Sequence, residues 1–299
     1  MPHRNRVDPQ LQSDRFTRFR NIQRLGHERS GHASVEHVRH QLYVARDQET
    51  RANALIKLTS KPGLIYEQNL ANEITTLSAI NRDLPESRHF PLLLDHGRLP
   101  DGRVFLVMSL FDEWPLATRI GPERVPDRLV SHLLVSLETA SALAELHRIG
   151  IVHVDLNPMN ILYRPQESRP VIRIVDFESS YHAERHAHGV FYNPPTTTGF
   201  SAPEVRDHTP DSRADVFSLG AVLYTMIAGY EWTWKGALWP HVEADAGVDE
   251  DLRRILLTAA QADRERRYRS IDAMRAALAG YLDAIWPGHS PAIRPGDSA

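Results

Sequence analysis

Residues 153–160 read HVDLNPMN, and residues 176–178, which follow a short apolar strand at 172–175, read DFE. Asp155 and Asn160 lie five positions apart, and Asp176 follows Asn160 by sixteen. Any one of these residues alone is typical of an ordinary polar loop. Together they fit phosphoryl transfer, in which one Asp orients the attacking hydroxyl while an Asn and a second Asp hold Mg²⁺ against the phosphates.

This pattern resembles the eukaryotic-type protein kinase family, whose catalytic loop reads H-R-D-L-K-P-x-N and whose metal loop reads D-F-G. The resemblance extends from about Leu25 to Leu282. With HVD and DFE at these two loops, the chain resembles a divergent member of bacterial type. Other family features occur in the family's order, and they are Lys57, Glu73, Ala202-Pro203-Glu204, Asp215 and Arg267.

The resemblance implies a role for each polar residue of the site. Asp155 orients the substrate hydroxyl, and Asn160 and Asp176 bind Mg²⁺. Lys57 offsets the charge of the α- and β-phosphates. Glu73 aims this lysine, because a lysine side chain is long and flexible and otherwise samples many positions.

The resemblance also implies a site for the adenine nucleotide. Residue 108 takes the gatekeeper position and residues 109–111 form the hinge. The large and small roof residues, at positions 33 and 55, are exchanged relative to the family, which conserves pocket volume. The predicted nucleotide-binding residues are Gly26, Gly31, Ala33, Leu55, Lys57, Met108, Leu110 and Leu162.

Some of the implied contacts are structural rather than catalytic. Arg267 is expected to pair with Glu204. His153 and Phe177, together with Leu77, resemble members of the stacked apolar spine of the family.

Several positions depart from the family pattern. Glu28 replaces the second glycine of the glycine loop, and Glu178 replaces the glycine of D-F-G. Val154 replaces the arginine that receives an activation-segment phosphate, so phosphorylation of that segment is not the expected switch. Asn157 replaces the lysine that contacts the γ-phosphate, a loss of about 2–4 kcal/mol of transition-state stabilisation if nothing replaces it. Thr197 is expected to support the catalytic loop.

Hydrophobic periodicity predicts an α+β chain with two lobes. The resemblance implies that these lobes form a two-lobed protein-kinase-like fold. Strand patterns dominate residues 21–110 and are interrupted by one helix at 66–80, whereas helices dominate from residue 127 onward. The predicted organisation is a flexible arm (1–18), a β-rich kinase N-lobe (19–111), a helical kinase C-lobe (112–286) and a tail (287–299).

The composition excludes several classes of protein. The chain has 299 residues, 41% of them hydrophobic, which supplies enough apolar mass for a sizeable core. A formal net charge of −3 argues against a nucleic-acid-binding polycation, and the absence of cysteine excludes disulfides and cysteine-ligated metals. No run of about 18 consecutive apolar residues occurs, so no membrane span is expected. We expect a cytoplasmic protein, with a secreted effector left open.

Two further clusters allow alternative interpretations. Three histidines at 182–188 are expected to form a polar loop, and a metal site is the less favoured interpretation. Three tryptophans at 232–239 are either local core or a docking surface for a partner.

The leading functional prediction is ATP- and Mg²⁺-dependent phosphorylation of a serine or threonine, with a protein substrate as the partner. Pro158 after Asn157 is closer to the Ser/Thr type than to the tyrosine type, and Ala202-Pro203-Glu204 belongs to the framework that holds protein substrates in the family. Two alternatives stay open. One is a pseudokinase scaffold that binds nucleotide or a partner without phosphoryl transfer, and the other is a small-molecule kinase.

Overall fold

The computed structural model describes residues 7–25, 40–122, 124, 128–166, 169–187, 194–195, 197, 199–207, 210–230, 233 and 237–287. The chain divides into two compact units, Met1–Asp112 and Glu113–Ala299, which we call the N-lobe and the C-lobe. A β-rich N-lobe and a helical C-lobe confirm the predicted α+β class. The division lies one residue beyond the predicted end of the N-lobe.

Antiparallel strands form the sheet of the N-lobe, and they are β1 (Phe19–Arg24), β2 (His40–Asp47), β3 (Asn53–Thr59), β4 (Leu93–Arg98) and β5 (Val104–Ser109). Their order in the sheet is β1-β2-β3-β5-β4. Strand β3 reads NALIKLT, and successive side chains of a strand point to opposite faces. Ala54, Ile56 and Leu58 belong to the buried core of the lobe, so Leu55 and Lys57 point to the other face of the sheet.

One helix, α1 (Leu64–Asp83), follows β3 and confirms the helix predicted at 66–80. Leu70 and Leu77 lie two helical turns apart and are buried. Glu73 lies between them and is also fully buried. The helix therefore carries a carboxylate into apolar surroundings, where it requires a partner.

The N-terminal segment differs from the flexible arm predicted for residues 1–18. Its described part forms two short 3₁₀ turns, Pro9–Gln12 and Asp14–Phe16. Leu11 and Phe16 are 1% and 2% exposed, and the Phe16 ring centroid lies 4.9 Å from that of Phe105 in β5. The prediction was wrong for this part because two apolar residues in a polar, Arg-rich stretch show no periodicity, although both pack into the core of the sheet.

The described helices of the C-lobe are α2 (Leu129–Arg148), α3 (Ala183–Ala187), α4 (Arg213–Ala228), α5 (Leu238–Ala244), α6 (Glu250–Ala259) and α7 (Ile271–Ile285). Its short strands are β6 (Trp114–Pro115), β7 (Ile151–Val152), β8 (Ile161–Arg164), β9 (Val171–Ile174) and β10 (Tyr181–His182). Strand β7 pairs with β10, and β8 lies between β6 and β9.

Helix α4 occupies the core of the C-lobe, since every residue from Ala214 to Ile227 is buried. Its last residue is Ala228, and the next residue, Gly229, has a φ of +84°, an angle that favours glycine. Gly220 allows α6 to approach closely, because a Cβ at this position would lie 2.8 Å from the Cβ of Ala259. Burial on all sides explains why the sequence of α4 is apolar throughout.

Among the described helices, α2 alone has the length and apolar composition of a membrane-crossing helix, with a mean hydropathy of 1.3 in its most apolar window. In the structure 56% of that window is buried inside the protein, and α2 packs against α4 and α7. A helix that is mostly buried in the core of a protein can have the same length and apolar composition as a membrane-crossing helix.

Candidate active site

In the N-lobe, a buried ion pair joins the central strand of the sheet to the helix. The Nζ of Lys57 in β3 donates to both carboxylate oxygens of Glu73 in α1, at 3.0 and 2.8 Å. The two side chains are 10% and 0% exposed. Because a buried carboxylate needs a counter-charge, Glu73 holds the flexible lysine in one position. The predicted pair is confirmed.

The catalytic loop of the C-lobe is held by bonds to its own backbone. The backbone carbonyl of Asp155 accepts hydrogen bonds from the amide groups of Asn157 at 3.0 Å and Asn160 at 2.9 Å. The backbone N–H of Asn160 donates to the carbonyl of Asn157 at 3.0 Å. These bonds fix the tight turn that carries Asp155 and Asn160 together.

The carboxyl group of Asp155 is perturbed. Its Oδ1 accepts a hydrogen bond of 2.6 Å from the hydroxyl of Thr197, which is the support predicted for the loop. Burial raises the pKa of Asp155 to about 7, and the carboxylates of Asp176 and Glu178 add to this, whereas Thr197 opposes it. A carboxyl with a pKa close to neutrality is suited to accept a proton from a substrate hydroxyl.

The two predicted metal ligands lie at the same end of a hairpin. Asn160 directly precedes β8 and Asp176 follows β9, and the two strands pair with Ile161 opposite Ile174. The N–H of Val175 donates to the carbonyl of Asn160 at 3.0 Å, which continues this pairing towards the loop. Since Nδ2 of Asn160 is bonded to the chain, its Oδ1 is left as the ligand atom. An amide oxygen and a carboxylate are hard ligands that fit Mg²⁺.

The buried carboxylate of Asp215 in α4 holds the backbone of the catalytic loop in place. Asp215 accepts the backbone N–H groups of His153 at 2.9 Å and Val154 at 2.8 Å, and it bonds to Nε2 of His147 at 2.8 Å. Burial alone raises the pKa of Asp215, but the bond from His147 and the neighbouring histidines hold it below its ordinary value. Val154 has φ +70°, a strained angle for a β-branched residue, and these bonds stabilise it.

His147 was missed by sequence reasoning. It lies near the end of α2, where a histidine is unremarkable. The available signal was Asp215 itself, because an acidic residue inside a fully apolar helix demands buried donors.

Two of the predicted spine residues meet inside the C-lobe. The rings of His153 and Phe177 pack edge to face with their centroids 5.2 Å apart, and both side chains are buried. Nε2 of His153 bonds to the carbonyl of Val175 at 3.2 Å, and burial lowers the pKa of His153. The neutral ring therefore donates through Nε2 and keeps the DFE stretch next to the catalytic loop.

The pair predicted between Arg267 and Glu204 is confirmed. Nη1 and Nη2 of the arginine donate to the two carboxylate oxygens at 2.6 and 2.8 Å, and the arginine side chain is fully buried. The same guanidinium also donates to the backbone carbonyl of Arg213 at 3.0 Å, at the start of α4. This bidentate pair ties the Ala202-Pro203-Glu204 element to the body of the lobe.

With this geometry established, comparison with known proteins decides the family. The protein kinase domain matches residues 41–271, which is most of the chain. The chain belongs to the protein kinase family. Human ribosomal protein S6 kinase alpha-2 is 36% identical over 158 residues, 48% of this chain and 21% of that protein. Human ribosomal protein S6 kinase alpha-6 is 35% identical over the same shares of the two chains. The chain thus spans about a fifth of the length of these curated relatives.

Solved structures agree on the fold. The kinase domain of PknI from Mycobacterium tuberculosis has a TM-score of 0.58 and 19% identity, and the match covers 83% of this chain and 92% of that chain. A point variant of the same domain has a TM-score of 0.61 and 18% identity, with 88% and 96% covered. These likenesses show a kinase fold over nearly the whole chain.

Two of the residues that depart from the family pattern lie close to Asp155 in this kinase domain. Asn157, where the family has lysine, is 6% exposed, and its side chain is used within the loop, since Oδ1 accepts the N–H of Met159 at 2.9 Å. It supplies no charge. Glu178 is half-buried, and its carboxylate lies close enough to Asp155 to raise the pKa of that group.

The predicted nucleotide-binding residues of the N-lobe are only partly described. Gly26, Gly31 and Ala33 lie outside the described residues. Leu55 and Met108 are neighbours across β3 and β5, and Met108 is 3% exposed. The backbone N–H of Leu110 donates to the carbonyl of Asn53 at 3.0 Å, so that N–H already belongs to the sheet.

The described part of the histidine cluster differs from the expected polar loop, because His182 belongs to β10 and is 7% exposed, and His186 lies in α3. The N–H of His182 donates to Nδ1 of His186 at 2.9 Å, and the ring of His186 stacks on Tyr181 with centroids 4.8 Å apart. His188, Trp232 and Trp234 lie outside the described residues, and Trp239 in α5 is half-buried.

Proposed function

We propose that this kinase domain transfers the γ-phosphoryl group of ATP, with Mg²⁺, to a serine or threonine hydroxyl of a protein. The observation that carries the proposal is the hydrogen bond from Thr197 to Oδ1 of Asp155 at 2.6 Å. This bond supports the role of Asp155 because its carboxylate accepts a hydrogen bond from a hydroxyl group, as it would from the hydroxyl of a substrate.

The other residues of the site bind the nucleotide and its metal ion. Lys57, held by Glu73, offsets the charge of the α- and β-phosphates. Asn160 and Asp176 hold Mg²⁺, which neutralises charge on the phosphates when it is bound. Asp155 then accepts the hydrogen bond of the attacking hydroxyl, aligns its oxygen and receives its proton as the new O–P bond forms. At the same time the bond from the γ-phosphorus to the β–γ bridging oxygen breaks, and ADP leaves with that oxygen. The rate enhancement then comes from the positioning of the reacting groups and from stabilisation of the charge on the phosphates, as is usual in phosphoryl transfer.

The choice of a protein acceptor is supported by the substrate framework of the C-lobe. The fully buried Arg267 and its partner Glu204 hold the Ala202-Pro203-Glu204 element in place. Pro158 favours the Ser/Thr type over the tyrosine type. A kinase that acts on small molecules has less need for such a platform.

The experiment that tests the acceptor class is transfer of label from γ-³²P-ATP with Mg²⁺ to a degenerate peptide library and to a matched mixture of phosphate-accepting metabolites. Labelled peptides that yield phosphoserine or phosphothreonine on hydrolysis support the proposal. Label found only in metabolites contradicts it and identifies a small-molecule kinase. Phosphotyrosine alone contradicts the assignment to the Ser/Thr type.

A scaffold role is the second candidate, and the side chain of Asn157 favours it. This residue is committed to the turn by bonds to the backbone of Asp155 and Met159, so the family's charge on the γ-phosphate is not replaced from this position. The pair of Lys57 and Glu73 suits nucleotide binding in either role. The presence of Asp155 favours catalysis, since a domain that only scaffolds has no hydroxyl group to orient.

A further inference from the structure

The C-lobe contains a cavity of about 300 Å³ outside the features described above. Its walls come from the start of α2, from the residues that follow β6, and from β8 and α4. The volume is at the lower end of the range found for small-molecule pockets, about 300–1,000 Å³.

The floor of the cavity is apolar. Leu116, Val135 and Met226 contribute to it and are 3%, 3% and 5% exposed. Ile120 adds a partly buried side chain to the same wall. A ligand that fills this floor gains free energy by removing apolar surface from water.

The rim of the cavity is cationic. Arg119 and Arg128 line it from two separate segments, and both side chains are exposed. Neither arginine forms an ion pair with a residue that the structure describes. Among the described residues that line the cavity there is no Asp or Glu. The charge of the rim is thus not neutralised by the lining itself.

We propose that this cavity binds a small organic acid, a carboxylate carried on an apolar chain or ring. The guanidinium group presents parallel N–H donors that match a carboxylate. The apolar floor then accommodates the hydrocarbon part, which distinguishes this ligand from free phosphate or from a sugar phosphate. Ser131 and Tyr163 line the cavity as well and provide hydroxyl groups for orientation.

The cavity is distinct from the predicted nucleotide contact on the same strand. Tyr163 lines the cavity, whereas the preceding residue, Leu162, is the predicted nucleotide-binding residue. Adjacent residues of β8 point to opposite faces. The proposal therefore does not depend on the proposed phosphoryl transfer.

His132 provides a reporter inside the cavity. Burial, and then the charge of Arg128, lower its pKa to about 4. The other charged or titratable groups that line the cavity are Arg119 and Tyr163. A carboxylate bound between the arginines offsets their charge and stabilises the protonated imidazole, so the pKa of His132 rises when the ligand binds.

The test is calorimetric titration of the full chain with octanoate at pH 7.5, with octylammonium as the probe of opposite charge. We expect saturable binding of one octanoate and no saturable binding of octylammonium. Arg128→Gln is expected to weaken octanoate binding by more than about tenfold. The matched control is Arg148→Gln, an exposed arginine at the other end of α2, which is expected to leave the affinity unchanged.

A second measurement keeps the proposal testable if Arg128→Gln does not fold. Arg119→Gln serves as an alternative variant, and NMR titration of wild type follows the His132 signal, identified among 16 histidines by its absence in His132→Gln. Octanoate is expected to raise the midpoint of that signal by about one pH unit or more. The proposal is overturned by an unmoved midpoint, by equal affinity of the Arg128 and Arg148 variants, or by equal binding of octylammonium.

Discussion

Replacing Asp215 with Asn is predicted to destabilise the C-lobe with almost no change in side-chain volume. Oδ2 of the carboxylate accepts bonds from His147 and from the N–H of His153, and Oδ1 accepts the N–H of Val154, all at 2.8 to 2.9 Å. In Asn one of these two oxygens becomes an NH₂ group, which cannot accept a hydrogen bond. Whichever way the amide is turned, at least one buried donor then faces another donor.

The expected size of the effect follows from these bonds. An unsatisfied buried donor costs about 1–3 kcal/mol, and a hydrogen bond to a charged group contributes about 1.5–3 kcal/mol. We therefore expect the free energy of unfolding to fall by about 3 kcal/mol. For a folded unit of this size, 1 kcal/mol corresponds to about 2–4 °C in Tm, so Tm is expected to fall by about 6–12 °C.

The pH dependence of this difference has a definite sign. The pKa of Asp215 is lower in the folded protein than its ordinary value of 3.8, since the bond from His147 and the neighbouring histidines outweigh burial. The contribution of the carboxylate to stability is fully present above pH 3.8 and is lost as the pH falls through the folded pKa. The Tm difference between wild type and Asp215→Asn is thus expected to shrink in acid.

The assay is differential scanning calorimetry at pH 7.5 on wild type, Asp215→Asn and a matched variant, Asp283→Asn. Asp283 is an exposed aspartate on α7, and its replacement is expected to leave Tm unchanged. A Tm of Asp215→Asn within about 2 °C of wild type would refute the reasoning, because the buried donors would then have found other partners.

Three further predictions follow from other contacts. His132 has a pKa of about 4 in the folded protein, below its ordinary value of 6.5. The free energy of unfolding is therefore expected to fall by about 3 kcal/mol as the pH drops from 6.5 to 4. Urea denaturation at pH 7 and pH 4.5 is expected to show a smaller fall in His132→Gln than in wild type. Gly220→Ala is expected to lower the free energy of unfolding by about 1–3 kcal/mol, because the new Cβ would collide with α6. Gly280→Ala is expected to raise it by about 0.5–1 kcal/mol, because the new Cβ would meet no atom within 4 Å. Equal effects of the two variants in thermal denaturation would contradict this. Glu73→Gln is expected to reduce phosphoryl transfer by about 10²-fold or more in a radiolabel assay, and an unchanged rate would show that Lys57 needs no carboxylate to position it.

The family and the main elements could be predicted from the sequence because several motifs occur in one order. The pairs of Lys57 with Glu73 and of Arg267 with Glu204 needed only the identity and spacing of the residues. Helix α7 buries apolar residues that recur at helical spacing, and they include Ile271, Met274, Leu278 and Leu282. In these cases local pattern and tertiary packing favour the same structure.

The remaining features depend on contacts that no local pattern contains. Leu11 and Phe16 lack periodicity, and only the sheet that they cover determines their burial. His147 reaches Asp215 from another helix, 68 residues away in sequence. Asn157 could be recognised as a departure from the family, but its bonds within the turn are a property of the folded loop. The cavity beside Arg119 and Arg128 arises where four separate segments meet.

The most direct test of the central claim is release and transfer of label from γ-³²P-ATP with Mg²⁺ by wild type, Asp155→Asn and Asp176→Asn, with Asp283→Asn as the control. The account predicts label transfer by wild type and by the control, and a loss of about 10²-fold or more in each of the other two variants. No transfer by wild type, together with Mg²⁺-dependent ATP binding in a thermal-shift assay, would contradict it and establish the scaffold role. Transfer that is unchanged in Asp155→Asn would contradict the assignment of that carboxylate to the reacting hydroxyl.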